Sequence, residues 1–214
     1  RQRQMCIRDR GVEKIQKNGS VAVVTIKVFD SELDKHFLVE LAMQQLTDDT
    51  WQITKINNLK TLINERDQAL QNKLSELNTP VQKQIDDAVA VSPQKIFITS
   101  APYSGVIRLL EADIQLTNNA VKELQYFTGV LELYNADNEL FYSGNFASSK
   151  DLAAKQTAVY KFNWELNPFL TDDAKVMNSD FSKVTWKASL SSLSFADGST
   201  IELLTQLPVK AATK

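Results

Sequence analysis

The chain is expected to be α+β: an antiparallel β-meander packed with helices, then an all-β sandwich. Three observations predict this. Apolar and polar residues alternate up to about residue 57, the apolar spacing turns helical over 59–90, and alternation returns from residue 94. Period-2 alternation suits a sheet with one buried face, whereas spacings of three and four put apolar groups on one stripe of a helix. The expected organisation is a leader at 1–10, an α+β domain at 11–92 with its helical segment at 59–90, and a sandwich at 93–210.

In the first domain, Val24, Ile26 and Val28 share one strand face, and Phe37, Val39, Leu41 and Met43 alternate with polar neighbours. Trp51 and Ile53 repeat the period in a third run. Polar clusters at 30–32 and 46–49 separate these runs, so a three-stranded meander is expected. Next, Leu59, Leu62, Ile63, Leu70, Leu74, Leu77, Val81, Ile85 and Ala88 form one apolar stripe. Thr79-Pro80 interrupts it, and proline in a helix interior costs about 3 kcal/mol. Two helices are therefore expected, about 59–77 and 80–90, with a single kinked helix as the alternative because the stripe keeps register. Ser92-Pro93 ends the run.

From residue 94, Ile96 and Ile98 predict a short strand before the turn at 101–105. Alternation then recurs at Leu110 to Leu116, Phe127 to Leu133, Tyr160 to Trp164 and Val184 to Leu190. Turn composition at 135–138, 167–168 and 196–199 punctuates it. About seven short strands so spaced predict a two-sheet sandwich.

Composition removes several function classes. With 43% apolar and 23% charged residues, the chain reads as an ordinary globular protein. No apolar run approaches the ~20 residues of a spanning helix. There is no Gly-rich phosphate loop, and the lysines are scattered singly, so nucleic acid is not an expected partner.

The string at 1–10, Arg-Gln-Arg-Gln-Met-Cys-Ile-Arg-Asp-Arg, resembles translated sequencing adapter. That resemblance implies a natural chain beginning at or before Gly11, with any signal or anchor upstream. Without these ten residues the formal charge falls from -2 to -5, since they carry four arginines and one aspartate. They also hold Cys6, the single cysteine, which leaves the rest without thiol chemistry.

Residues 36–63 (HFLVELAMQQLTDDTWQITKINNLKTLI) resemble the C-terminal part of the bacterial DUF2939 family. Its members close with an alternating strand, an acidic turn and a Trp-x-Leu/Ile-Thr-x-Ile strand, here Trp51, Ile53, Thr54 and Ile56. The resemblance implies an inner-membrane-anchored envelope protein with an N-terminal hydrophobic segment, and the 11–92 domain as a truncated piece of it. The same strand pattern occurs in cystatin-like and NTF2-like folds. The sandwich is similar to immunoglobulin-like modules of bacterial lipoproteins, and the run from Gly129 to Glu139 (GVLELYNADNE) resembles the FxLYD type.

The candidate chemistry is sparse. His36, the single histidine, has no second His or Cys with which to share a metal, and no Gly-x-Ser-x-Gly elbow accompanies it; a solvated strand-start histidine is the preferred reading. The acid pairs Asp48-Asp49, Asp86-Asp87 and Asp172-Asp173 fall in expected turns or on a polar helix face, where both carboxylates stay ionised. Residues 135–139 lack the ligand spacing, central glycine and distant glutamate of a calcium loop. Tyr160, Phe162, Trp164 and Trp186 could line a cleft but at strand period read as core. The stripe at 59–89 could dock a partner helix but is read as covering its own sheet.

No catalytic, cofactor-binding or metal residue, and no cofactor, is therefore expected. The expected function is non-catalytic: a membrane-tethered binding or structural module of a bacterial envelope, in the periplasm and facing the inner membrane. Its partner would be a protein or a small ligand. The alternative is a small-ligand pocket between sheet and helix of the first domain; an enzyme with its catalytic residues upstream comes third. A buried cavity under the helical stripe would favour the pocket, and a large exposed apolar patch a protein partner.

Overall fold

The computed structural model describes residues 11–47 and 50–208. It divides into two compact units, one of residues up to Leu77 together with those from Leu204, the other Asn78–Leu203. The boundary thus falls within the helix and not near Ser92. The reason is where the apolar groups go: Ile85 and Val89 are fully buried in the core of the second unit, and the residues from Val89 to Pro93 already pair as strand. The sequence placed 1–10 and 209–210 outside and inside its domains respectively; both stretches lie outside the described residues.

In the first unit, β1 (Gly11–Asn18), β2 (Val21–Asp30), β3 (Lys35–Gln45) and β4 (Trp51–Ile56) form one antiparallel sheet in sequence order. The meander has four strands where three were expected. β1 escaped the pattern because a bulge between Val12 and Lys14 leaves Glu13 without a partner on β2. That shift moves Val12 and Ile15 to a spacing of three, which hides the alternation. The β1–β2 turn needs a left-handed residue beside the paired Asn18 and Val21, and Gly19 supplies it at φ +60°. At the β2–β3 turn, Asp30 Oδ1 accepts from the N–H groups of Glu32 and Leu33 at 3.0 and 3.2 Å. Asp34 there takes φ +53°.

The helical stripe makes one helix, α1 (Leu59–Ala88), with Pro80 inside it. The expected break at Pro80 gives way to the single-helix alternative. Val81 and Ile85 beyond the proline pack in the second unit's core, and that burial offsets the proline penalty of about 3 kcal/mol. Asn58 sets the helix start. Its amide donates to Leu38 O and accepts from Glu40 N–H, both at 2.9 Å, so it continues the ladder of β3 one step past the end of β4.

The second unit continues with β5 (Val89–Ser100), β6 (Arg108–Asn118), β7 (Leu124–Tyr134), β8 (Leu140–Ser148), β9 (Thr157–Leu166), the short helix α2 (Thr171–Met177), β10 (Thr185–Phe195) and β11 (Thr200–Glu202). Two antiparallel sheets result, β5-β6-β9 and β11-β10-β7-β8. β5 is far longer than the short run around Ile96 because its middle is polar and only intermittently buried. The sheets pack face to face. Phe127 of β7 is fully buried, with its ring edge-on to Tyr160 and Phe162 of β9 at 5.0 and 6.3 Å between centroids. The α+β class with sandwich-like sheets is what the chain forms.

Candidate functional site

Cross-strand partners share a face of a sheet, so the register of the first unit sorts its side chains. Ile15 lies opposite Val24, Val24 opposite Leu41, and Leu41 opposite Ile56; Val12 joins through Ile26, and Ile53 through Met43. One apolar face therefore runs across all four strands. Its end near Val28, Phe37 and Val39 meets Leu62 and Arg66 of α1 around a groove of about 450 Å³. Away from that end the face is open: Val12, Ile15, Ile53 and Ile56 are 60%, 63%, 53% and 38% exposed. Leu59 and Ile63, which follow β4 into the helix, extend the exposed apolar stretch.

The helix is held to the sheet by charge as well as by packing. Arg66 Nε donates to Asp30 Oδ2 at 2.9 Å, and its Nη2 to Glu32 Oε2 at 3.1 Å. Partial burial alone would raise the Asp30 carboxyl. The N–H groups of Leu33 and Glu32 and the Arg66 guanidinium outweigh that and hold it below the usual carboxylate range. Beside this clamp a groove of about 540 Å³ is lined by Leu70, Leu74 and residues 205–208. Nothing in the residues around Arg66 marks it, because its partners lie more than thirty positions away.

The candidates read from the sequence are not brought together. His36 is exposed on β3, its ring 4.9 Å from that of Phe29, the residue opposite it. Asp86 accepts from Gln82 and Asp87 from Lys83 on the polar side of α1. Asp172 and Asp173 open α2, where Asp172 pairs with Lys175 and Asp173 accepts from Asn167 N–H at 2.9 Å. Asp48 and Asp49 lie outside the described residues. Asn135 closes its own turn, accepting from Asp137 and Glu139 N–H and donating to Glu139. Tyr160 is buried, and Phe162, Trp164 and Trp186 are partly buried against the same core. Trp164 Nε1 also donates to Asn145 O at 2.7 Å, tying β9 to β8.

In the second unit the buried polar side chain is Asn118. Its Nδ2 donates to Lys122 O and Leu152 O at 2.8 and 2.9 Å, and its Oδ1 accepts from Ala120 N–H at 3.0 Å. Among the described residues no buried side-chain nitrogen or oxygen lacks a partner, and no group of three or more metal-binding side chains assembles. No described helix is long and apolar enough to cross a membrane.

No family model and no curated protein matches the chain. Among solved structures it is similar to a crystal structure described as an ApaA protein from Bordetella pertussis. The likeness covers 53% of this chain and 83% of that one, at 13% identity and a TM-score of 0.31. At that score it carries no argument about fold or function.

Proposed function

We propose that this protein is a non-catalytic binding module that engages a macromolecular partner through the open apolar face of its first unit. The observation that carries the reading is the exposure of Val12, Ile15, Ile53 and Ile56 on one continuous sheet face. Exposed apolar surface of this kind marks interaction sites in soluble proteins.

For the second unit we propose an immunoglobulin-like sandwich. Counting from β5, its first, second and fifth strands form one sheet, and its third, fourth, sixth and seventh the other, which is an order that architecture uses. A cystatin-like or NTF2-like origin of the first unit, membrane tethering and a periplasmic setting are proposals resting on the resemblance of residues 36–63. Segregation of the intact gene product with inner membranes tests the last two.

A second reading, a small apolar ligand held by the first unit, is favoured by the 540 Å³ groove along Leu70 and Leu74, a volume within the usual ligand range. One experiment separates the two. Titrating the full chain with an environment-sensitive apolar dye, we expect binding to fall severalfold in Ile53→Ser/Ile56→Ser and to persist in Leu70→Ser/Leu74→Ser. The reverse pattern supports the pocket. Turnover by the wild-type chain in a hydrolase and transferase substrate panel would overturn both.

A further inference from the structure

Two loops leave one end of the β5-β6-β9 sheet side by side. Residues 101–107 join β5 to β6, and residues 167–170 lead from β9 to α2; Arg108, which opens β6, pairs with both Ser100 of β5 and Leu166 of β9. The Tyr103 hydroxyl donates to the Glu165 carboxylate and so ties the first loop to the strand that feeds the second. Together the loops project apolar side chains. Phe169 is 84% exposed, so it stands out from its loop rather than lining a groove, and Tyr103, Val106 and Leu170 are each more than half exposed. Neither 101–107 nor 167–171 contains Asp, Glu, Lys or Arg, although these make up 23% of the chain. The nearest charges along the sequence, Arg108, Glu165 and Asp172, sit behind the loops on β6, β9 and α2 and are of both signs.

We propose that this two-loop tip inserts into the interface of an uncharged phospholipid layer. The backbone selects lipid over a pocket on a protein. Protein interfaces carry about one hydrogen bond per 100–200 Å², so a protein partner calls for donors and acceptors turned outward. Here they are spent within the loops. Ala101 N–H donates to Ile107 O and Ser104 N–H to Ala101 O, both at 3.2 Å, and Ser104 Oγ accepts from Val106 and Ile107 N–H at 3.3 and 3.1 Å. In the second loop Asn167 Oδ1 accepts from Phe169 N–H and Asn167 O from Leu170 N–H, each at 3.0 Å. Pro102 and Pro168 have no N–H to satisfy. Backbone bonded to itself is what entry into an apolar layer requires, since lipid offers no partner to a bare amide. Tyr103 suits the boundary of such a layer, with an exposed ring and a hydroxyl held back at β9. The mixed charges behind the tip give no preference for anionic lipid. The inference is independent of what the open face of the first unit binds.

The test is flotation of the full 214-residue chain with phosphatidylcholine vesicles. We expect binding that changes little when phosphatidylglycerol or salt is added. Phe169→Ser/Leu170→Ser should lower partitioning about tenfold, because two large apolar side chains no longer leave water. Val121→Ser, at an equally exposed residue in the loop at the other end of β6, should leave it unchanged. Far-UV circular dichroism should match the wild type in both variants, since neither change touches the core. A polarity-sensitive label on Val106→Cys, in a Cys6→Ser background, should shift to the blue with vesicles, whereas the same label on Val121→Cys should not. Absence of vesicle binding overturns the proposal, as does binding indifferent to Phe169→Ser/Leu170→Ser. Binding that needs phosphatidylglycerol and vanishes in salt overturns it too, since surface lysines alone would then account for it.

Discussion

The two units bury their apolar side chains to different depths. In the second, Phe127, Leu110, Ile114, Leu131 and Leu193 are fully enclosed between facing sheets. Among the described residues of the first, the best-buried side chain, Phe37, keeps 6% of its surface, and residues on the same sheet face such as Ile15 stay more than half exposed. Both use the same alternation of apolar residues. What differs is the second layer: a sheet facing a sheet covers every inward position, whereas a helix about 10–12 Å across covers only part of a four-stranded face. Sequence pattern therefore marks which side chains prefer to be buried, and only the packing partner decides which are.

The largest test of this contrast compares two core positions. Phe127→Ala removes a ring enclosed on all sides and should cost about 4 kcal/mol. Val24→Ala removes a half-buried side chain from the open sheet and should cost about 1 kcal/mol. Urea denaturation midpoints of the two variants measure both. Comparable losses would mean that the open face is covered in solution.

A smaller effect separates two asparagines. Asn118 is buried and bonds three carbonyls and one N–H; Asn58 bridges Leu38 and Glu40 where water also reaches. Asn118→Ala should cost about 2–3 kcal/mol because it removes several hydrogen bonds from a buried site at once. Asn58→Ala should cost about 1 kcal/mol or less, with hydrogen exchange rising at Glu40. If the two losses are equal, solvent access is not what distinguishes the units.

The difference between the units also explains what the sequence could reveal. Strands with one face buried announced themselves, as at Val24 to Val28 and Leu110 to Leu116. β1 did not, since an exposed edge strand with a bulge places no constraint on alternation. α1 appeared as a stripe but its continuity did not: Pro80 reads locally as a break, and Ile85, which makes the break unnecessary, is buried by strands much later in the chain. Close backbone approach was equally hidden. A Cβ on Gly129 would collide with Ser189 O, yet nothing near residue 129 points to β10. The clamp of Arg66 on Asp30 and the open face are tertiary facts of the same kind, legible only once register is known.

The smallest effect is in acid, and can be followed at a clamped aspartate from each unit. In the second, the Lys122 ammonium, 2.6 Å from Asp197, together with the Ser199 hydroxyl and N–H, holds the Asp197 carboxyl far below the usual range. In the first, the bonds to Asp30 win over its partial burial and lower it less. A carboxyl whose folded pKa is depressed adds stability that is complete above the unfolded value, about 3.9, and is lost as pH falls through the folded one. Asp30 should therefore release its contribution first as the pH drops below about 4, and Asp197 only in stronger acid. Thermal unfolding midpoints followed from pH 5 to pH 2 should show a shallower upper slope in Asp30→Asn and a shallower lower slope in Asp197→Asn. Added salt should shrink the second change more, because the Lys122–Asp197 pair is the more exposed. An unchanged profile in both variants would mean that neither clamp persists in solution, and the attachment of α1 to its sheet would then rest on apolar packing such as that of Leu62 beside Phe37 and Val39.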